Sequence, residues 1–190
     1  MINAATAQLG EYCGLPTRGV GMTTDSKVED MQAGYEAALT LLMAALSGVN
    51  YIMYAGSLES TLAISFEKYV IDDEVLGMVT RALKGIDVDE ERLALDVIDR
   101  VGPGGHFLCE EHTRRLLRIE HFIPWLSDRS RREVWEKEGG KDIRERARKR
   151  VIEILEGYEP EPLDEDVERS LQGIIEEVKR REGFQFPLKA

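Results

Sequence analysis

The sequence predicts an α/β protein, with the closing βα units of a larger barrel over residues 1–86 and a helical extension over 87–190. Three observations carry this. Patterns for helix, strand, helix, strand and helix follow one another at the spacing of βα units around a parallel sheet. The first 60 residues hold 8 charged side chains, 6 acidic and 2 basic, while the remaining 130 hold 53. Sparse charge marks a segment surrounded by protein, and dense charge with helical periodicity marks a solvated coat. Finally, only two strands are legible, and two strands do not make a sheet domain. Their buried face needs polypeptide that this sequence does not obviously supply, as expected of the end of a larger barrel.

The elements are justified in turn. Residues 2–13, INAATAQLGEYC, form an amphipathic helix closed by Gly14, with Pro16 as a stop. LPTRGVGM is a short strand, followed by the polar cluster TTDSK. Residues 29–48 make the next helix, with Gly48 near its end. NYIMYAGSL is a second strand, rich in aromatic and β-branched residues. A further helix is expected from Glu59 or Ser60 to about Lys84. Beyond residue 87, DVDEERLALDVIDRVG is one short helix with an acidic first turn, GPGG is a turn, and HFLCEEHTRRLLRIEHF begins another helix. Two helices broken at Gly139-Gly140 follow, then the linker EPEPLDED and a terminal helix.

Composition narrows the function. A net charge of −11 leaves no basic excess for nucleic acid or an anionic membrane surface. No apolar run has the length of a membrane span, and MINAATAQLGEY lacks the features of a secretory signal. A soluble, cytoplasmic protein is expected. Cys13 and Cys109 stand far apart and suggest no disulfide framework.

The stretch GVGMTTDSKVED places hydroxyls, a carboxylate and an amine where a plain connection needs one cap. In parallel sheets the ligand site lies beyond the carboxyl ends of the strands, where both TTDSK and YAGSLES fall. Either the cluster forms a site, or Thr24, Asp25 or Ser26 caps a turn and the rest is solvated. Tyr51 and Met53 share one strand face and Tyr54 the other; the aromatics line a quaternary ammonium site or pack as core. His106, Cys109 and His112 have the residue types of a zinc site, but on a helix their spacing would not converge on one ion. His106 reads instead as a helix-start residue facing a neighbouring site. No nucleophile elbow, P-loop or dinucleotide fingerprint is present.

LPTRGVGMTTDSKVEDMQAGYEAALTLLMAALSGVNYI, the segments YAGSLES and SFEKYVIDDEVLGM, VGPGGHFLCEEHT, and the run from WEKEGGKDIRERA to EPLDEDVE resemble the C-terminal portion of the trimethylamine methyltransferase family. The resemblance implies a (β/α)8 TIM barrel with its earlier strands missing here. It also implies transfer of a methyl group from a methylated amine to Co(I) of a corrinoid held by a separate protein, with no cofactor bound directly. Trimethylamine-specific members carry pyrrolysine just before the stretch matching TDSK; Met22 or Thr23 occupies that place here. This departure implies a quaternary substrate such as glycine betaine, which already bears positive charge and leaves as a neutral amine. Candidate substrate-binding residues are Met22, Thr23, Thr24, Asp25, Lys27, Tyr54, Glu59 and His106. In this reading Tyr54 faces the ammonium, Glu59 balances its charge and Lys27 meets a substrate carboxylate. Expected partners are the corrinoid protein and either a missing N-terminal barrel half or further copies of the chain. The competing readings are a non-catalytic half-barrel assembly module or remnant, and an unrelated zinc protein.

Overall fold

Strands β1 (Arg18–Val20) and β2 (Tyr51–Met53) pair in parallel, with Arg18 opposite Tyr51, Gly19 opposite Ile52 and Val20 opposite Met53. The structure is a computed structural model that describes residues 1–182. Parallel strands need a crossover, and helix α2 (Met31–Leu46) supplies it. Its buried residues Ala33, Ala37, Leu41 and Ala44 recur at helical spacing and form one stripe toward the core. Gly21 lets the helix and sheet close up, since a Cβ there would stand 2.6 Å from Ile52 Cγ2 and 3.3 Å from Leu41 Cα. Helix α1 (Ile2–Tyr12) packs beside β1 and α2. From it, the Asn3 side chain donates to the Val20 carbonyl at 2.7 Å, occupying a backbone acceptor on this strand.

After β2 the expected long helix does not begin at Glu59. Residues Ser57–Leu58 (β3) and Ala63–Ile64 (β4) pair antiparallel around a tight turn at Glu59–Thr61. Glu59, Ser60 and Thr61 have φ of 51°, 51° and 74°, left-handed values that a right-handed helix excludes. The helix, α3 (Phe66–Leu83), starts only where the Ser65 hydroxyl can accept from the Lys68 amide at 3.1 Å.

Helix α3 is the centre of the packing. Val75 and Val79 join Met22, Ala37, Leu41 and Ile52 in one apolar cluster. Val70 and Ile71 join Leu126, Ala147, Ile143 and Val151 in another. Between these stripes the helix buries three charged residues, Lys68, Asp72 and Glu74.

The segment expected as one helix after residue 87 is two, α4 (Glu90–Leu93) and α5 (Leu95–Val101). Ala94, at a left-handed φ of 50°, separates them. Helix α6 (Glu111–Glu120) begins beyond His106, because Phe107 to Glu110 first make a turn closed by a 3.0 Å bond from the Glu110 amide to the Phe107 carbonyl. The break expected at Gly139-Gly140 separates α7 (Arg132–Lys137) from α8 (Ile143–Gly157); both glycines have positive φ. Helix α9 (Glu165–Glu182) has acids in its first turn and Lys179, Arg180 and Arg181 in its last, the arrangement a helix dipole favours. The chain divides into two compact units, Met1–Ile154 and Leu155 onward. Among the described residues no helix is long and apolar enough to cross a membrane.

Candidate functional site

Because β1 and β2 run parallel, the loops that follow them leave from the same end of the sheet. Backbone bonds join these loops: Glu59 N donates to Ser26 O at 2.9 Å and Ser60 N to Thr24 O at 3.0 Å. The Ser60 hydroxyl adds a bond to the Asp25 carboxylate. TTDSK and YAGSLES, separate in sequence, therefore form one polar rim.

Within the first loop, Thr24 donates its hydroxyl to Glu36 Oε2 at 2.6 Å, and Asp25 N reaches the same oxygen at 2.9 Å. The Gln32 amide holds Glu36 Oε1 at 3.1 Å. Ser26 N donates to Thr24 Oγ1 at 2.9 Å, and the Ser26 hydroxyl lies 2.9 Å from Asp30 Oδ1. Asp30 also caps α2 by accepting from Ala33 N at 3.0 Å. These donors favour the charged carboxylates. The Thr24 hydroxyl, followed by the Asp25 amide, holds Glu36 below its ordinary range, and the Ala33 amide and Ser26 hydroxyl do the same for Asp30.

Beneath the rim lies a buried ion pair. Lys68 Nζ donates to Asp72 Oδ1 at 2.8 Å, to Oδ2 at 2.6 Å and to the Met22 carbonyl at 2.9 Å. Asp72 Oδ2 also accepts from Gly56 N at 2.8 Å. Lys68 is 2% exposed and Asp72 0%. Burial, the largest effect, pushes the Asp72 carboxyl up against the opposing pull of the Lys68 ammonium and the Gly56 amide.

Backbone strain gathers at the same place. Of the six non-glycine residues with positive φ among the described residues, five are Met22, Tyr54, Glu59, Ser60 and Thr61; the other is Ala94. Such residues cost on the order of 1–3 kcal/mol each and persist where surrounding structure over-determines them, often at functional sites.

The predicted site residues divide into two groups. Thr23, Asp25, Lys27, Tyr54 and Glu59 keep exposed or half-buried side chains on the loop pair. Lys27 Nζ donates to Asp25 O at 2.9 Å, and Tyr54 OH accepts from Arg18 at 3.3 Å. Tyr54 lies beyond the end of β2 with φ of 82°, so strand alternation does not set its direction. Met22 and Thr24, by contrast, turn inward. Met22 is 6% exposed in the apolar cluster with Ala37, Leu41 and Val79, and Thr24 is 2% exposed and bonded to Glu36. Both shape the loop from within, because an apolar thioether and a satisfied hydroxyl gain nothing by facing water.

His106 is exposed in the segment before α6, and among the described residues no hydrogen bond joins it to either loop. His112 lies on α6 with Nε2 2.7 Å from Glu91 O. Among the described residues no group of three or more His, Cys, Asp or Glu side chains is placed to hold a metal ion.

A groove of about 620 Å³ lies against α6, away from the loop pair, and includes Arg81, Arg92 and Glu120 in its wall. Both arginines are committed to Glu120, at 2.9 and 2.8 Å, so the groove offers no unpaired cation from this pair.

Sequence reasoning missed Glu36, Ser60, Lys68 and Asp72. The available signal was spacing, which places Lys68 and Asp72 one helical turn apart on α3 and Glu36 on the first turns of α2.

Comparison with known proteins places this geometry in context. A glycine betaine methyltransferase of Desulfitobacterium hafniense (strain Y51) is 44% identical over 173 residues, covering 90% of this chain and 36% of that protein. The trimethylamine methyltransferase MttB of D. hafniense (strain DSM 10664 / DCB-2) is 42% identical over 183 residues, 96% of this chain and 37% of the relative. The MttB of Methanosarcina barkeri (strain Fusaro / DSM 804) is 39% identical over 180 residues, 95% and 36% of the two chains. The chain thus spans little more than a third of the length of these relatives. The family model for trimethylamine methyltransferase (MTTB) matches residues 1–183, and the chain belongs to that family.

Proposed function

We propose that the chain supplies the last βα units and helical extension of a (β/α)8 barrel that transfers a methyl group from a quaternary amine to a corrinoid on a separate protein. The observation that carries this reading is the polar rim itself. Two loops beyond the carboxyl ends of parallel strands are joined by backbone bonds and held in left-handed conformations. This is where barrel enzymes hold their substrates. Similarity to a glycine betaine methyltransferase supports the quaternary class.

The reduced cobalt supplies both electrons of the new bond to carbon, while the C–N pair leaves with nitrogen as a neutral amine. The protein therefore needs no nucleophile of its own. Its task is to orient the methyl group, exclude water and balance the ammonium charge. In this reading Tyr54 offers an aromatic face, worth about 0.5–2 kcal/mol to a cation. Glu59 and Asp25 supply negative charge, Lys27 meets a substrate carboxylate, and Thr23 adds rim polarity. The cytoplasm is the compartment this reading assigns.

A second reading, a non-catalytic half-barrel that docks to a partner chain, is favoured by exposed apolar residues on the strands and α2. Val20 is 43% exposed, Tyr51 63%, Leu39 60% and Met31 85%. Co-expression with the N-terminal two thirds of a relative, followed by methyl transfer from glycine betaine to reduced cobalamin, separates the readings. Methylcobalamin formation above that of either part alone supports the enzyme. An assembled but inactive complex, tested across quaternary amines, supports the docking module.

A further inference from the structure

We infer that the buried Lys68–Asp72 pair is the positioning element of the rim, setting both loops from below as one unit. The inference takes its functional meaning from the proposed methyl transfer, but its structural argument stands on the geometry. A Lys–Asp pair one turn apart on a helix ordinarily sits in water as a weak surface contact. Here both side chains are almost wholly buried, and each also reaches a different loop.

The two backbone groups they hold are informative. Met22 and Gly56, with φ of 61° and 75°, are both left-handed, and each begins the polar part of its loop. Lys68 holds the Met22 carbonyl and Asp72 the Gly56 amide, so one ion pair fixes the entry to TTDSK and the entry to SLES. Shared backbone bonds between Ser26 and Glu59 and between Thr24 and Ser60 then carry that placement outward.

The pair is suited to positioning rather than to contact with substrate. Among the described residues, no buried side-chain nitrogen or oxygen lacks a hydrogen-bond partner. Three of the four contacts described here lie within 2.8 Å, and all are internal. The charged pair addresses one carbonyl and one amide that an apolar replacement could not.

The test is amide hydrogen exchange on the full chain for wild type, K68M, D72N and E74Q. E74Q is the control, since it alters a buried carboxylate on the same helix that contacts neither loop. The expected result is at least a tenfold rise in exchange for 23–28 and 54–61 together in K68M and D72N, with E74Q unchanged in both segments. If K68M does not fold, D72N, which retains the side-chain shape, gives the answer. Exchange that rises in one loop alone, or equally in E74Q, overturns the inference.

A kinetic arm uses the co-expressed barrel. D72N and E74Q are compared at a temperature where both remain folded, and D72N alone is expected to raise KM for glycine betaine at least tenfold. Loss of coordinated loop exchange sinks the positioning role whatever the activity. Coordinated exchange without methyl transfer sinks the proposed reaction and leaves the positioning role standing.

Discussion

Helix α3 solves the problem of buried charge twice, on two faces of its N-terminal half, and the two solutions differ. Toward the rim, Lys68 and Asp72 neutralise each other and still reach out to two strained loops. Toward the helical coat, Glu74 forms no ion pair among the described residues. Its carboxylate accepts instead from Leu126 N at 2.5 Å, Ser127 N at 2.9 Å and the Ser127 hydroxyl. Neither Leu126 nor Ser127 has positive φ. One buried charge therefore clips an unstrained loop in place, whereas the other pair holds conformations that would relax without it. The comparison separates a device for cohesion from a device for shape.

The largest effect expected of a single change is at Lys68. K68M leaves Asp72 buried without its cation, which costs about 3–5 kcal/mol. Replacing both members by K68M/D72L removes the stranded charge, and for an ordinary buried pair that restores most of the stability. Here the Met22 carbonyl and the Gly56 amide remain unpaired, at about 1–3 kcal/mol for a buried group. The double variant should stay below wild type in urea unfolding by that amount. A double variant as stable as wild type would reduce the pair to ordinary core.

A smaller loss is expected on the other face of the helix. E74Q keeps one acceptor oxygen but turns an NH2 group toward the donors of Leu126 and Ser127. Hydrogen bonds to charged groups contribute about 1.5–3 kcal/mol, and E74Q should lose a comparable amount. Amide exchange should rise at Leu126 and Ser127 only. If E74Q also freed Ser26 and Glu59, the distinction between the two faces of α3 would fail.

How far the sequence revealed this arrangement depended on whether the signal was local. The apolar run of α2 is a local signal: a helix was expected over 29–48, and it forms over Met31–Leu46 with Asp30 as its cap. The rim loops follow from strand order and polarity, so their place at one end of the sheet was legible. The turn at Glu59–Thr61 was not, because three successive left-handed non-glycine residues contradict local propensity and are held by bonds from Thr24, Asp25 and Ser26. In FEKYVIDDE, the charged residues resemble a solvated helix face. Which of them is buried is decided by groups distant in sequence, Met22 and Gly56 for Lys68 and Asp72, and Leu126 and Ser127 for Glu74. Met22 and Thr24 show the same limit: their loop was evident, but packing against α2 and α3 turned them inward.

The smallest expected effect, and the most selective for the rim, comes from acid. Glu36 is held below its ordinary value of 4.5 by the Thr24 hydroxyl and the Asp25 amide, and Asp30 below 3.8 by the Ala33 amide and the Ser26 hydroxyl. A lowered folded-state value gives stability that is present above the unfolded value and is lost as pH falls through the folded one. Asp72 works in the opposite sense: its carboxyl is raised by burial, so its unfavourable contribution is relieved as pH falls. Acidification below their ordinary values and through the lowered folded-state ones should therefore loosen the TTDSK loop through Glu36 and Asp30. Amide exchange at Asp25, corrected for its intrinsic pH dependence, should rise in that window while Leu126 stays protected. In E36Q, the Asp25 amide should be less protected at neutral pH and should lose most of the acid response. An unchanged acid response in E36Q would assign the sensitivity to another group, and simultaneous loss of protection at Leu126 would show that acid does not distinguish the two faces of α3.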